Sequence, residues 1–310
     1  MKIKYFFISL IVTVPLLFLS CDSEDNIIPT PIDTMSRFEF PEGNDEWDKA
    51  FENLYENHGC QMIYKKFDMN DLKKSWTVDG FISGDPQFEH YENEEELNNI
   101  HKIFEEKIFK YLNPELSKKV FPPYIYLAKN YKAPFFGMYW SPLAFDTGGM
   151  DAWVVSFDES LTLPSSGKQP TIINKYVPGW IIAQYFKVAA INRSLINIPQ
   201  KFIVETDYET KIDFYTETAD NFYKKRGICH RMNFQSQRVF GTPNDKEFGE
   251  NPIKYDFWNF IVMLTVDLDF ETTYTDYPLV VKKANLVLNY MKDEYNIDLQ
   301  EIARQSPYNE

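Results

Sequence analysis

Apolar side chains recur along this chain in a few well-marked runs, and their spacing predicts its elements. In residues 44–58, Trp47, Phe51, Leu54 and Tyr55 share one face at helical spacing, and Gly59 is placed to end that helix. Residues 62–67 read as a short strand, and residues 68–92 as a polar loop with short regular pieces. A stronger helix spans 93–112. Asn93 caps it, Glu94, Glu95 and Glu96 suit its positive end, and Leu97, Ile100, Phe104, Ile108 and Tyr111 form its stripe. Asn113-Pro114 stops it. Residues 124–128 and 152–157, apolar runs after Pro122-Pro123 and Gly148-Gly149, read as buried strands.

Residues 171–190 are the stretch around which the rest is organised. Ile181, Ile182, Tyr185, Phe186, Ala189 and Ala190 recur at helical spacing, which predicts a buried helix from Trp180 onward. Pro178 would cost ~3 kcal/mol inside a helix, so it marks the first helical position, where that cost vanishes. Residues 163–170 form the loop that leads in. Residues 208–225 predict a short helix with Tyr215, Ala219 and Phe222 inward. A last long helix covers 277–295, with Val280, Val281, Ala284, Val287, Leu288 and Met291 on its apolar side. Asp298 and Glu301 then stand as a capping pair for a short terminal helix.

The N-terminus follows different rules. Lys2 and Lys4 precede a mostly apolar run, so residues 1–20 read as a signal peptide. The run stops at Leu19-Ser20-Cys21, which resembles a lipobox, and the acidic cluster Asp22-Ser23-Glu24-Asp25 follows at once. Cys21 is therefore the expected lipidation site, and an outward-facing lipid anchor in the outer membrane the expected localisation. Residues 21–43, with Pro29, Pro31 and Pro41, read as a flexible tether, and residues 44–310 as one domain. No later segment is long and apolar enough to span a bilayer.

Composition adds two limits. Hydrophobic residues make up 44% and aromatics 17%, enough to bury a sizeable core. The net charge of −14 would repel a phosphate backbone, which excludes nucleic acid as an expected partner. Cys60 and Cys229 are either a disulfide or two buried thiols.

Candidate chemistry is sparse. No two of His58, His90, His101 and His230 lie at helical ligand spacing, and Cys229-His230 adjacency does not aim one side chain at the other. No phosphate-cradling glycine loop or nucleophile elbow is present. Composition leaves open a carboxylate pair for glycoside hydrolysis, although Asp146 and Asp151 flank Gly148-Gly149, where turns favour Asp. Phe135, Phe136, Tyr139 and Trp140 cluster in a Pro- and Gly-containing loop and are candidate contacts for a peptide or glycan.

The order of these elements resembles the zinc metallohydrolase lipoproteins of Bacteroidetes associated with substrate import, a zinc-binding metallopeptidase family. There the organising helix carries His-Glu-x-x-His, two imidazoles on one helical face with a Glu that activates metal-bound water. Anchored on Gly179 and Gln184, those positions hold Tyr176, Val177 and Trp180. The family's later Glu-Asp-Phe-Ala-Glu helix corresponds to Tyr255-Asp256-Phe257-Trp258-Asn259, which keeps Asp256 and Phe257 and neither Glu. Over residues 44–302 the resemblance implies an α+β, zincin-like fold with a degenerate metal site. It implies no catalytic residue, no metal ligand, loss of the family's zinc, and a role in binding substrate or assisting an outer-membrane import complex. Two alternatives stand beside it: an active hydrolase using other ligands, and a structural surface protein without a ligand.

Overall fold

The computed structural model describes residues 37–72, 85–135, 138–139, 144–147, 151–157, 162–163, 171–172, 174–232, 240–241, 243 and 245–307. Residues 1–20, Cys21, Phe136, Trp140 and Gly148-Gly149 lie outside them, so the lipid anchor and part of the aromatic loop have no structural account here. The chain divides into two compact units, Met1–Glu39 and Phe40–Glu310. In the first, the Arg37 guanidinium lies 5.7 Å from the Phe38 ring centre. The second opens at Phe40, so residues 40–43, read above as tether, belong to the packed unit.

Helix α1, Glu46–His58, begins with a capping box in which Asp45 and Asp48 satisfy each other's amides. It ends at Gly59, whose φ of 76° and N–H bond to the Tyr55 carbonyl close the last turn. A Cβ there would meet Lys118 backbone at 3.2 Å, a second reason for glycine. Strand β1, Gln61–Ile63, is shorter than the predicted 62–67. The cause is Glu42, whose buried carboxylate accepts the N–H groups of Tyr64 (2.7 Å), Lys65 (3.0 Å) and Lys66 (2.5 Å). Those amides serve a side chain instead of a sheet.

Helix α2, Glu94–Ile103, is capped by Asn93, which accepts from the Glu95 and Glu96 amides. The helical path continues through a π turn, Phe104–Ile108, and a 3₁₀ turn, Phe109–Tyr111. Asn113-Pro114 does stop it, and then starts another element the pattern had missed. Asn113 Oδ1 accepts the Leu116 N–H at 3.0 Å, and Pro114 opens α3, Pro114–Val120.

Strands β2, Tyr124–Leu127, and β4, Ala152–Val155, lie parallel to each other and to β1; β3, Phe145–Asp146, pairs antiparallel with β4 at the far edge. The register pairs Met62 with Ile125, Ile125 with Trp153 and Phe145 with Val155. Every residue of β1 and β4 is buried, as expected of a sheet covered on both faces. Two-residue strands Thr162–Leu163 and Thr171–Ile172 pair antiparallel, so regular backbone brackets the predicted lead-in loop.

Helix α4, Val177–Lys187, has Pro178 in its first turn and runs on into a π turn, Val188–Asn192. Helix α5, Pro252–Leu264, crosses it, and the Trp258 indole N–H donates to the Ala183 carbonyl at 3.1 Å. Helix α6, Pro278–Tyr295, ends at Asn296 in the left-handed region, and α7, Leu299–Arg304, is capped by Asp298. Phe104, Ile181, Phe186, Phe257, Phe260 and Val287 belong to one continuous core.

The helix predicted in 208–225 does not form; the backbone there is turns and bends with a single parallel bridge between Asp213 and Phe222. Asp207 accepts the amides of Glu209 and Thr210, and Asp213 those of Tyr215 and Thr216. These local bonds compete with helix formation. Phe222 is buried as expected, whereas Tyr215 is 74% exposed. Among the described residues no helix is long and apolar enough to cross a membrane.

Candidate functional site

A 3₁₀ turn, Asn174–Tyr176, feeds α4, and the three positions singled out by the motif sit at this junction. Tyr176 is half-buried, with the Lys175 ammonium 5.3 Å from its ring centre. Val177 is fully buried, its side chain part of the core. Trp180 packs against that core, and its indole nitrogen is sealed from solvent without a hydrogen-bond partner.

Asp256 lies elsewhere in the packing. It is fully buried on α5, two residues before Trp258, so the two side chains leave the helix in nearly opposite directions. Trp258 faces α4; Asp256 faces α6, where the equally buried Lys283 places Nζ 2.5 Å from Oδ2. The Tyr208 hydroxyl donates to the same Oδ2 at 2.6 Å. Lys283 also donates to Thr206 Oγ1 (2.8 Å) and the Tyr208 oxygen (3.0 Å), which uses all three ammonium protons. The rings of Phe202, Phe260 and Tyr208 surround Nζ, with centres at 4.1, 5.2 and 5.3 Å. Burial raises the Asp256 pKa and lowers that of Lys283, and each partner is the main force opposing the other's shift. Tyr208 is held un-ionised first by burial and then by the Asp256 charge.

The structure therefore does not join Asp256 to Tyr176 and Trp180 through any shared hydrogen bond; its carboxylate is bound to Tyr208 and Lys283. Lys283 and Tyr208 escaped the sequence reading. The signal for Lys283 was present: it stands inside the apolar stripe of Val280, Ala284, Val287 and Met291, where a solitary ammonium demands a buried partner.

The histidines are packed one by one. His58 stacks on Phe109 at 4.2 Å, and burial, aided by Lys118, lowers its pKa to about 4. His101 meets the Phe51 ring edge-on at 5.8 Å, and burial lowers its pKa. His90 Nδ1 is 3.1 Å from the Tyr64 carbonyl. The His230 amide donates to the Tyr274 hydroxyl at 3.1 Å, and that hydroxyl is hydrogen-bonded to His230 Nδ1 at 2.6 Å. Burial, with Lys224, lowers the His230 pKa to about 4. Cys229 beside it is a buried free thiol whose pKa burial raises, the opposite of an activated nucleophile. Cys60 is also a buried free thiol, so neither cysteine is in a disulfide.

Phe135 and Tyr139 lie in two-residue strands, Pro134–Phe135 and Met138–Tyr139, that pair antiparallel. The residues present at the α4 junction and on α5 do not fit a zinc ion. Val177 has no donor atom, the Trp180 nitrogen is a proton donor only, and Asp256 is already engaged by an ammonium. Among the described residues no three His, Cys, Asp or Glu side chains converge to hold a metal.

The class defined is thus an α+β domain with a small mixed sheet, helices packed on it, and a buried ammonium–carboxylate pair between α5 and α6. No family profile matches this chain, and no curated protein matches it. Among solved structures it is similar to a "putative zinc-binding metallo-peptidase" from Bacteroides caccae, at 12% identity and a TM-score of 0.46, over 87% of this chain and 94% of that one. Likeness at that level is too low to carry function from one protein to the other.

Proposed function

We propose that this chain is a non-catalytic surface lipoprotein with a zincin-like domain, tethered through Cys21, that binds peptide or glycan material or assists an outer-membrane import complex. The observation that carries the reading is the state of the resembled motif. Val177 is core where a general base would be needed, and the Asp256 charge is neutralised internally by Lys283. A carboxylate that already holds a fully hydrogen-bonded ammonium is a poor ligand for an added cation.

Metal analysis tests the first half. Purified protein exposed to zinc and dialysed is expected to retain far less than one equivalent, with any hydrolysis of peptides unaffected by chelation. One equivalent of zinc, with activity lost to a chelator, overturns the reading. Incorporation of labelled palmitate tests the anchor: Cys21→Ala is expected to abolish it, and undiminished labelling would refute lipidation there.

A further inference from the structure

The cluster between α5 and α6 holds an amine and a carboxyl in reacting range, with a phenol bridging them. Lys283 and Asp256 are both fully buried, and Nζ lies 2.5 Å from Oδ2. The Tyr208 oxygen is 3.0 Å from Nζ and its hydroxyl donates to Oδ2 at 2.6 Å, so one O–H links the two groups. Thr206 Oγ1 accepts a further ammonium proton at 2.8 Å. The fully buried rings of Phe202 and Phe260 lie against Nζ, with centres at 4.1 and 5.2 Å. Keeping two charges here costs several kcal/mol of desolvation each. Moving one proton from Nζ to Oδ2 leaves a neutral amine beside a carboxylic acid. Burial favours that transfer from both sides, raising the Asp256 pKa and lowering that of Lys283.

We propose that the Lys283 amine and the Asp256 carboxyl condense to an intramolecular amide that staples α6 to α5. The Nζ lone pair attacks Cγ. Nζ gives a proton to the Tyr208 oxygen, and Tyr208 passes its own proton to Oδ2. The Cγ–Nζ bond forms and the Cγ–Oδ2 bond breaks. Oδ2 leaves as water with two protons, one from the first transfer and one from the phenol. Oδ1 remains as the amide oxygen, and the last Nζ proton stays on the amide nitrogen. Nothing is oxidised or reduced, and no co-reactant is needed. Condensation is unfavourable between free groups in water, but well-oriented groups reach effective concentrations of about 10⁵–10⁸ M, and the product carries no buried charge. The ion pair is the reactant state, so the stability of that pair is a property of protein not yet converted. The inference does not rest on the lipoprotein reading above.

Peptide mapping of the full chain tests it. Native protein, fresh and after overnight incubation at growth temperature, is denatured and cut with trypsin. An unreacted Lys283 is cleaved on its C-terminal side and releases peptide 284–292. An acylated Lys283 is not cleaved, and peptide 283–292 stays joined to peptide 255–282, one water lighter than their sum. The joined pair is expected to accumulate with incubation and to be absent from Lys283→Met and Asp256→Leu. Tyr208→Phe should form it about 10²-fold more slowly, the usual worth of a proton-transferring group; its melting curve is the control for folding. Full release of peptide 284–292 after incubation, with no joined pair, overturns the proposal. So does an equal yield from chain held in urea, because the fold would then not align the groups, and so does an undiminished rate in Tyr208→Phe. Should Lys283→Met or Asp256→Leu fail to fold, the native protein and Tyr208→Phe decide the matter.

Discussion

Replacing Lys283 with Met keeps much of the volume of the side chain and removes its charge. In the native protein Nζ sits 2.5 Å from Asp256 Oδ2 with both groups fully buried. At an effective dielectric constant near 20, Coulomb's law gives ~7 kcal/mol of attraction. Desolvation of the two ions takes back several kcal/mol each, so the pair itself contributes little net stability. Removing one partner is another matter, because Asp256 is then a buried carboxylate left with the Tyr208 hydroxyl as its hydrogen-bond donor. The expected loss is about 3–5 kcal/mol, or roughly 6–20 °C in melting temperature. Without Lys283 the largest influence lowering the Asp256 pKa is gone, and burial raises it further. A carboxyl with its folded pKa above its unfolded value binds more protons when native. Stability is then lost as pH rises through the folded pKa, and the deficit of Lys283→Met should be larger at pH 8 than at pH 5. Urea unfolding followed by tryptophan fluorescence at both pH values measures this. The double variant Lys283→Met/Asp256→Leu should recover most of the loss. A loss under about 1 kcal/mol, a deficit independent of pH, or a double variant worse than the single one would refute the reasoning.

Three further outcomes are expected. Glu42→Gln halves the acceptor set for the amides of residues 64–66 and removes its charge, which should cost about 1–3 kcal/mol in urea unfolding; no change would mean the clasp is idle. His58 and His230 both have folded pKa values near 4, below the unfolded 6.5, so the native state binds fewer protons between those values and stability should fall as pH drops from about 6.5 to 4. His58→Gln or His230→Gln should flatten that slope, by at most about 1.4 kcal/mol per pH unit each, read from melts across the range. Finally, Cys60 and Cys229 should resist a thiol reagent in the native protein and both react after denaturation without reductant; a single disulfide in place of two thiols would contradict the packing.

Where the sequence and the fold agree, the governing interactions span only a few residues. Gly59, Asn93 and Asp298 were readable as helix ends because a cap joins groups no more than about four positions apart, and each does that work in the structure. Asn113-Pro114 shows the limit of local rules: the pair that ends one helix also meets every requirement for starting the next. In residues 208–225 the apolar spacing pointed to a helix, and side-chain bonds from Asp207 and Asp213 to nearby amides prevailed.

The sequence by itself determined the helix ends at Gly59, Asn93 and Asp298 and the burial of Ile181, Ile182, Tyr185, Phe186, Ala189 and Ala190, since each depends on residue type and near-neighbour spacing. Tertiary structure alone decided that Asp256 meets Lys283 across 27 residues and that Glu42 gathers three amides over 20 positions away. Such contacts arise only when separate elements pack, and the cost of burying an unpaired charge then dictates which distant residues must come together.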